Sequence, residues 1–230
     1  MLALAATNHW KIKSIDIKSA FLQGRPIERE VTVKPPREAG TAKLWKLKKA
    51  LYGLNDAARE WYLKMHEAMV EMGGKRSTLD NAILFWRDGL MLMGICSAHV
   101  DDFIICGTDS FQKNLVDKIK ARFRVSSECE GLFTYTGLQI KQDHESVTVS
   151  QESFANNLSQ MLVQDQDTQN QGLLSNEDFR DLKRLNGQLM WLSSHTRPDL
   201  AYDVCDLITS ATGATQSEVS RANKVVRRQV

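Results

Sequence analysis

The stretch LMLMGICSAHVDDFIIC, residues 90–106, places two adjacent acidic residues between two apolar runs. Residues 90–100 and 103–106 predict strands, because each run is short and apolar. Asp101 and Asp102 then form the connection between the strands. A simple β-turn is one interpretation, since aspartate is common in turns, although the glycine that tight turns prefer does not follow the pair. The stretch predicts two strands joined at a pair of carboxylates.

A third carboxylate, Asp16, is embedded in another predicted strand, residues 10–17. If the fold brings Asp16 beside Asp101 and Asp102, carboxylates about 4 Å apart repel by ~4 kcal/mol at an effective dielectric of 20. Such a cluster requires protonation, ion pairing or a bound metal. Oxygen-only ligands favour Mg²⁺ or Mn²⁺ over zinc. Two such ions about 3.5–4 Å apart are the known machinery of nucleotidyl transfer.

The sequence periodicity changes near residue 150. Before that point strands alternate with helices, and residues 134–140 and 146–149 predict a hairpin pair. After it the apolar stripes are helical, with a polar linker predicted at residues 164–172. The predicted helix boundaries are N-caps at Asn55, Ser110, Ser150 and Ser175, a start at Pro198, and ends at Gly73 and Gly213. This pattern predicts an α+β fold with an antiparallel sheet over residues 1–150 and a helical part over 151–230.

Composition excludes several classes of protein. The 230 residues are 42% hydrophobic and 25% charged, which is typical of a globular domain. The longest apolar run is far shorter than the roughly 20 residues of a membrane-spanning helix, and the N-terminus lacks the basic region of a signal peptide. Four cysteines without a CxxC pair argue against a disulfide framework or zinc knuckle. We therefore expect an intracellular protein that does not enter membranes.

Positive charge is concentrated near the N-terminus. Residues 1–60 contain 12 basic and 6 acidic residues, whereas the remaining 170 contain 18 basic and 22 acidic ones. Lys46, Lys48 and Lys49 lie close to Trp45 and Tyr52, and basic residues among aromatic ones are typical of nucleic-acid contacts. A solvated surface segment is the alternative, and the sequence leaves both interpretations open.

Six segments together resemble one family. In chain order they are IDIKSAFLQG (15–24), LWKLKKALYGLNDAAREWY (44–62), HVDD (99–102), YTGLQI (135–140), LNGQLMWL (185–192) and TRPDLAY (196–202). They resemble the motifs of copia-type retrotransposon reverse transcriptases and cover nearly the whole chain in the family's order.

The resemblance implies a polymerase palm with a ferredoxin-like antiparallel sheet and packed helices over residues 1–150. It implies a truncated, mostly helical thumb- or connection-like region over 151–230. The implied function is that of an RNA-directed DNA polymerase segment of a Gag-Pol-like polyprotein, working with two Mg²⁺ or Mn²⁺ ions on an RNA or DNA template–primer and deoxynucleoside triphosphates. The alternative is a catalytically inactive retrotransposon remnant that at most binds nucleic acid.

The resemblance also assigns residues to roles. Asp16, Asp101 and Asp102 match the catalytic, metal-binding carboxylates. The positions matched to nucleotide binding are Ile17, Phe21, Gly53 and Arg59. The positions matched to the template–primer are Lys46, Lys48, Lys49, His99 and Gly137. Structural interpretations stand beside these roles: core packing for Phe21, a turn for Gly53, an exposed helical arginine for Arg59 and a bulge for Gly137.

The sequence departs from the family pattern at two places. His99 stands where the family usually has tyrosine. Asp16 lies only 15 residues after Met1, whereas family members have a basic fingers segment upstream, so we expect most of the fingers segment and the ribonuclease H region to be missing from these 230 residues. We therefore expect these 230 residues alone to bind template–primer in a salt-sensitive manner and to extend it poorly.

Overall fold

The secondary structure mixes strands and helices in a computed structural model that describes residues 1–162, 173–210 and 215–228. Its strands are β1 (Ile12–Ile17), β2 (Thr32–Val33), β3 (Trp45–Lys46), β4 (Lys75–Arg76), β5 (Ile83–Asp88), β6 (Met91–His99), β7 (Asp102–Gly107), β8 (Val125–Glu130), β9 (Leu132–Tyr135), β10 (Leu138–Gln142) and β11 (Val147–Ser150). Its α-helices are α1 (Leu2–Thr7), α2 (Ala20–Gln23), α3 (Ala57–Glu71), α4 (Asp109–Arg122), α5 (Glu152–Asn156), α6 (Asn176–His195), α7 (Ala201–Thr209) and α8 (Gln216–Arg228). Short 3₁₀ turns cover Arg37–Ala39 and Pro198–Leu200.

The main sheet has six strands in the order β4-β5-β6-β7-β1-β8, and each neighbouring pair is antiparallel. A three-stranded sheet has the order β11-β10-β9, and β2 pairs with β3 in a small ribbon. The predicted α+β fold with an antiparallel sheet is therefore confirmed. The predicted single strand 134–140 is wrong, because a turn at Thr136 and Gly137 divides it between β9 and β10.

The chain divides into two compact units, Met1–Thr148 and Val149–Val230. In the first unit, alternate residues of β1 and β7 lie in the core beneath α3 and α4. The largest buried members of that core include Ile15, Ile17, Trp61, Met69, Phe103, Ile105, Leu115 and Ile119. Because side chains alternate along a strand, Asp16 and Asp102 lie on the opposite face of the sheet.

The second unit is built from helices. Leucines of α6 pack against Val204 and Leu207 of α7 and against Val219 and Val226 of α8. Among the described residues, none of the helices is long and apolar enough to cross a membrane. The linker expected at residues 164–172 and the helix end expected at Gly213 lie outside the residues that the structure describes.

Three of the predicted N-caps are wrong. Helix α3 begins after Asp56 rather than Asn55, α4 is capped by Thr108 rather than Ser110, and α5 begins after Gln151 rather than Ser150. For α4 the reason is direct. The helix starts as soon as β7 ends, and Thr108 Oγ1 accepts a hydrogen bond from the Phe111 N–H at 3.4 Å.

The cap at Ser175 is confirmed. Its hydroxyl accepts a hydrogen bond from the Asp178 N–H at 3.1 Å and donates to the Asp178 carboxylate at 2.6 Å. A side-chain cap of this kind satisfies a backbone donor that the first helical turn leaves unpaired.

Candidate active site

The three carboxylates meet at one end of β1 and β7. Asp16 lies directly opposite Asp102 in the antiparallel register of the two strands. Residues opposite each other on one face have Cβ atoms about 4.5–5.5 Å apart. The Asp101 carbonyl accepts a hydrogen bond of 2.8 Å from the Ile17 N–H, so the turn is tied to the strand that contains Asp16.

Val100 and Asp101 form a two-residue turn between β6 and β7, since His99 pairs with Asp102. The φ angle is positive at Val100, +55°, and not at Asp101, which is the pattern of a type II′ turn. Glycine normally occupies that first position, and a β-branched residue there is strained by about 1–3 kcal/mol. The connection therefore lies one residue earlier than predicted, because Val100 and Asp101 form the turn and Asp102 is the first residue of β7.

A buried indole supports this turn. The Trp61 Nε1–H of α3 donates a hydrogen bond of 2.6 Å to the Val100 carbonyl, and Trp61 is 2% exposed. Its ring packs edge-on against Phe123, with the ring centroids 5.2 Å apart. Helix α3 thus fixes the backbone that precedes Asp101. The sequence contains Trp61 in the segment 44–62, but a sequence pattern does not show where an indole N–H points.

The carboxylates destabilise one another in their charged forms. Burial raises the pKa of Asp16 above its usual value of 3.8, and the charge of Asp101 raises it further. Burial also raises the pKa of Asp102, with contributions from the charges of Asp101 and Asp16, while His99 opposes the shift. A bound cation would relieve this repulsion, because it would favour the ionised carboxylates.

The donor set fits a hard divalent cation, since it consists of carboxylate oxygens. Within the described residues, however, no three His, Cys, Asp or Glu side chains converge on one metal position. The Ser126 hydroxyl of β8 donates a hydrogen bond to the Asp16 carboxylate. The structure thus makes the three aspartates neighbours, and their convergence on a metal ion remains a proposal.

Two predicted nucleotide-site segments also come together. The ring of Phe21 in α2 lies against Tyr52, with centroids 4.5 Å apart and the planes tilted by 45°. Tyr52 is 58% exposed. The next residue, Gly53, has a φ of +93° and lies in a turn that is closed by the hydrogen bond from the Leu54 N–H to the Leu51 carbonyl. Tyr52 lies in one of the motifs that resemble the family, but no nucleotide contact was predicted for it.

The other two predicted nucleotide contacts, Ile17 and Arg59, stay predictions. The Ile17 side chain is buried in the core on the helix side, so it packs against the protein, and only main-chain atoms of Ile17 are available to a nucleotide. Arg59 is exposed at the start of α3 and pairs with Glu60 at 2.9 Å. Its role stays a prediction.

The predicted template–primer residues are spread over several elements. Lys46 lies in the β2–β3 ribbon and pairs with Glu30 at 3.0 Å, while Lys48 and Lys49 follow it and are exposed. His99 is exposed at the end of β6, opposite Asp102. In the described part of the chain no ion pair joins these lysines to the three aspartates.

Gly137 occupies the second position of the β9–β10 turn. Both turn residues have positive φ, +47° at Thr136 and +83° at Gly137, as a type I′ turn requires. The adjacent Tyr135 hydroxyl donates a hydrogen bond of 3.4 Å to Ser97 Oγ in β6. The charge of Asp102 contributes to raising the Tyr135 pKa, although burial is the main cause. The hairpin therefore lies close to β6, and the bulge interpretation of Gly137 is wrong.

The family comparison agrees with this geometry. The sequence model of the family described as "Reverse transcriptase (RNA-dependent DNA polymerase)" matches residues 1–172. The chain therefore belongs to the reverse transcriptase family. Members of this family act on nucleic-acid templates and use divalent metal ions.

Similar proteins place the chain within that family. It is 27% identical over 221 residues to the Retrovirus-related Pol polyprotein from transposon RE2 of Arabidopsis thaliana, covering 89% of this chain and 15% of that protein. It is 32% identical over 136 residues to the corresponding polyprotein from transposon TNT 1-94 of Nicotiana tabacum, covering 57% and 10%. These are copia-type transposons, and the chain is a copia-type reverse transcriptase segment. It spans about 15% of the length of its Arabidopsis relatives.

A solved structure of apo telomerase from Candida tropicalis, truncated from its C-terminal domain, also matches. The sequence identity is 13% and the TM-score is 0.37, over 64% of this chain and 37% of that one.

Proposed function

We propose that the first unit is a polymerase palm that catalyses RNA-directed addition of deoxynucleotides to a primer 3′-hydroxyl. The observation that carries the proposal is the register of Asp16 opposite Asp102, with Asp101 in the turn between β6 and β7. In this proposal Asp16, Asp101 and Asp102 hold two Mg²⁺ ions. When bound, the ions supply an activated 3′-hydroxyl and charge neutralisation at the leaving pyrophosphate.

The protein's own contribution is positioning. Trp61 and the β1 backbone hold the turn, so the carboxylates are already side by side before any ligand binds. Such preorganisation lowers the reorganisation needed during phosphoryl transfer. Phe21 and Tyr52 form an aromatic surface that we assign to the deoxyribose of the incoming nucleotide.

The partners in this proposal are an RNA or DNA template–primer and deoxynucleoside triphosphates, with Lys46, Lys48, Lys49, His99 and Gly137 contacting the template–primer. The second unit would act as the thumb- or connection-like region. An intracellular site of action, expected from the sequence, stays a prediction.

Template–primer extension tests the proposal, using the full chain and its Asp101→Asn variant in Mg²⁺. We expect the variant to lose extension and to retain template binding, because the amide removes a metal ligand without altering the turn. Asp88→Asn is the matched control. Asp88 is exposed in β5 and pairs with Met91 at the start of β6, whereas the turn with Asp101 follows the other end of β6. Equal extension by the Asp101 and Asp88 variants would contradict the metal role.

Thermal unfolding gives a readout that does not depend on activity. Mg²⁺ that binds only the folded protein raises Tm, and we expect this rise for wild type and Asp88→Asn but not for Asp101→Asn. A Tm rise of equal size in all three proteins would place the ion elsewhere.

A further inference from the structure

A groove of about 520 Å³ in the first unit is lined by basic side chains and lies outside the carboxylate site. It lies between α2, the middle of α3 and the C-terminal end of α4. Its polar lining consists of Gln23, Lys49, Lys64, Lys120, Arg122 and Arg124, with no acidic residue among them.

Two of these cations have local explanations. Lys120 and Arg122 occupy the last turn of α4, where positive charge complements the helix dipole. They also pair with carboxylates outside the groove, Lys120 with Glu128 at 2.6 Å and Arg122 with Glu71 at 2.9 Å. These two residues therefore do not by themselves indicate a ligand.

The other three cations have no such explanation. Within the described residues, Lys49, Lys64 and Arg124 form no ion pair. Lys64 lies near Glu67, but the Glu67 carboxylate is bound by Arg25. Three unneutralised cations around one concave surface repel one another unless an anion lies between them.

A neighbouring groove shows the contrast. It is lined by Arg25, Arg29 and Arg59, and each of these arginines is paired with a carboxylate. In that groove every arginine is neutralised by a carboxylate of the protein. The groove with Lys64 and Arg124 departs from that pattern.

The basic groove is also joined rigidly to the catalytic strand. The Arg124 carbonyl accepts a hydrogen bond of 2.9 Å from the N–H of Lys18, two residues after Asp16. The Gln23 side chain bonds to the backbone of both residues. Its amide oxygen accepts a hydrogen bond from the Arg124 N–H at 2.8 Å, and its NH₂ group donates to the carbonyls of Arg124 and Lys18 at 3.1 and 2.7 Å. A strand held at Arg124 would thus keep a fixed position relative to Asp16.

From these observations we propose that the groove binds the phosphodiester backbone of a nucleic-acid strand at a second contact, on the helix side of the sheet rather than on the carboxylate face, through Lys49, Lys64 and Arg124. The class of partner rests on the proposed polymerase function, whereas the location rests on the unpaired cations. Contacts to phosphates carry no sequence information and act through counterion release, so the binding is independent of sequence and sensitive to salt.

Fluorescence anisotropy with a labelled single-stranded oligonucleotide and a labelled duplex tests this contact in the full chain. Mg²⁺ and nucleotides are left out. We compare wild type with the double variant Lys64→Gln/Arg124→Gln, which leaves the Arg124 backbone hydrogen bonds in place. The control, Lys75→Gln/Arg76→Gln, removes the same charge from exposed positions of β4 at the opposite edge of the sheet.

We expect the groove variant to bind severalfold more weakly than the control and to show a shallower salt dependence. For a single strand, the slope of log K against log salt falls by about 0.7 per lost phosphate contact, or about 1.4 for two. If the groove variant loses affinity for only one of the two labelled ligands, that ligand shows whether a single strand or a duplex occupies the groove. Restored binding by Lys64→Arg/Arg124→Lys would support a charge contact.

The proposal would be overturned if the groove variant and the control variant bound the oligonucleotide with equal affinity. It would also be overturned if the groove bound polyglutamate more tightly than the oligonucleotide. The outcome is separable from that of the polymerase proposal. Equal extension by the Asp101→Asn and Asp88→Asn variants would contradict the polymerase proposal, while the difference between the two charge variants would still decide whether the groove binds nucleic acid.

Discussion

Two carboxylate sites, one in each unit of the chain, are arranged in opposite ways. In the helical unit, Asp199 is held by Arg197 at 2.8–2.9 Å, and this pairing lowers the Asp199 pKa. In the first unit, Asp16 and Asp102 lie beside Asp101 and their pKa values are raised. A carboxylate with a lowered pKa stabilises the fold at neutral pH, whereas one with a raised pKa destabilises it. The carboxylate site is thus maintained at the expense of stability, which is typical of functional sites.

The largest expected effect is at Asp102. Asp102→Asn should abolish Mg²⁺-dependent extension and, without metal, raise Tm at pH 7, because it removes a charge that burial and two neighbouring carboxylates disfavour. Asp199→Asn should instead lower Tm, because it removes a favourable pairing. Thermal unfolding of both variants in chelator checks the comparison, and a lower Tm for Asp102→Asn would contradict it.

The next effect concerns the support of the strained turn. Trp61→Phe removes the indole N–H and leaves the Val100 carbonyl without its donor, which costs about 1–3 kcal/mol of unfolding free energy. We also expect kcat for extension to fall about ten- to hundredfold, because the adjacent carboxylates lose their fixed position.

Trp86→Phe is the control for that experiment. Trp86 belongs to the same core, and its indole donates to the Met72 carbonyl at 3.1 Å, away from the turn. This variant should lose comparable stability and keep its kcat. Equal loss of kcat in both variants at equal stability would show that Trp61 acts only through folding.

A smaller effect is expected at the aromatic pair. Phe21→Val shortens the surface against Tyr52 and should admit a 2′-hydroxyl, raising ribonucleotide over deoxyribonucleotide incorporation by about tenfold. Competition between the two nucleotides in single-turnover extension measures the ratio. Tyr52→Phe retains the ring contact and should leave the ratio unchanged. If Phe21→Val folds normally with an unaltered ratio, Phe21 is a packing residue alone.

The smallest effect is at the β8 edge of the sheet. Glu128 pairs with Lys13 at 3.0 Å and Lys120 at 2.6 Å, and these hydrogen bonds lower its pKa below the usual 4.5. Glu128→Gln should cost at most about 1 kcal/mol at neutral pH, since solvent and salt screen the pairs. The difference from wild type should vanish as the pH falls below 4.5 through the lowered pKa, as denaturant unfolding between pH 7 and 3 can show. A difference that persists at pH 3 would rule out ion pairing as its cause.

The sequence determined the fold class and the aspartate pair at the strand connection. Alternating and helical apolar patterns are local properties, so β1, β6, β7, α3 and α4 could be located to within a few residues. Strand β8 was missed because its residues, VSSECE, are mostly polar and exposed. It forms the edge of the sheet and is held there by pairing with β1 rather than by an apolar pattern.

The tertiary structure alone decided how the site is assembled. Residues 85 positions apart, Asp16 and Asp101, become neighbours only through the register of β1 against β7. The indole donor of Trp61, the ring contact between Phe21 and Tyr52, and the basic groove at Arg124 each join segments distant in sequence. Hydrophobic periodicity reports which face of an element is buried, but not which polar atoms meet across elements. Contacts between polar atoms of different elements depend on strand register and helix packing, which the whole chain determines together.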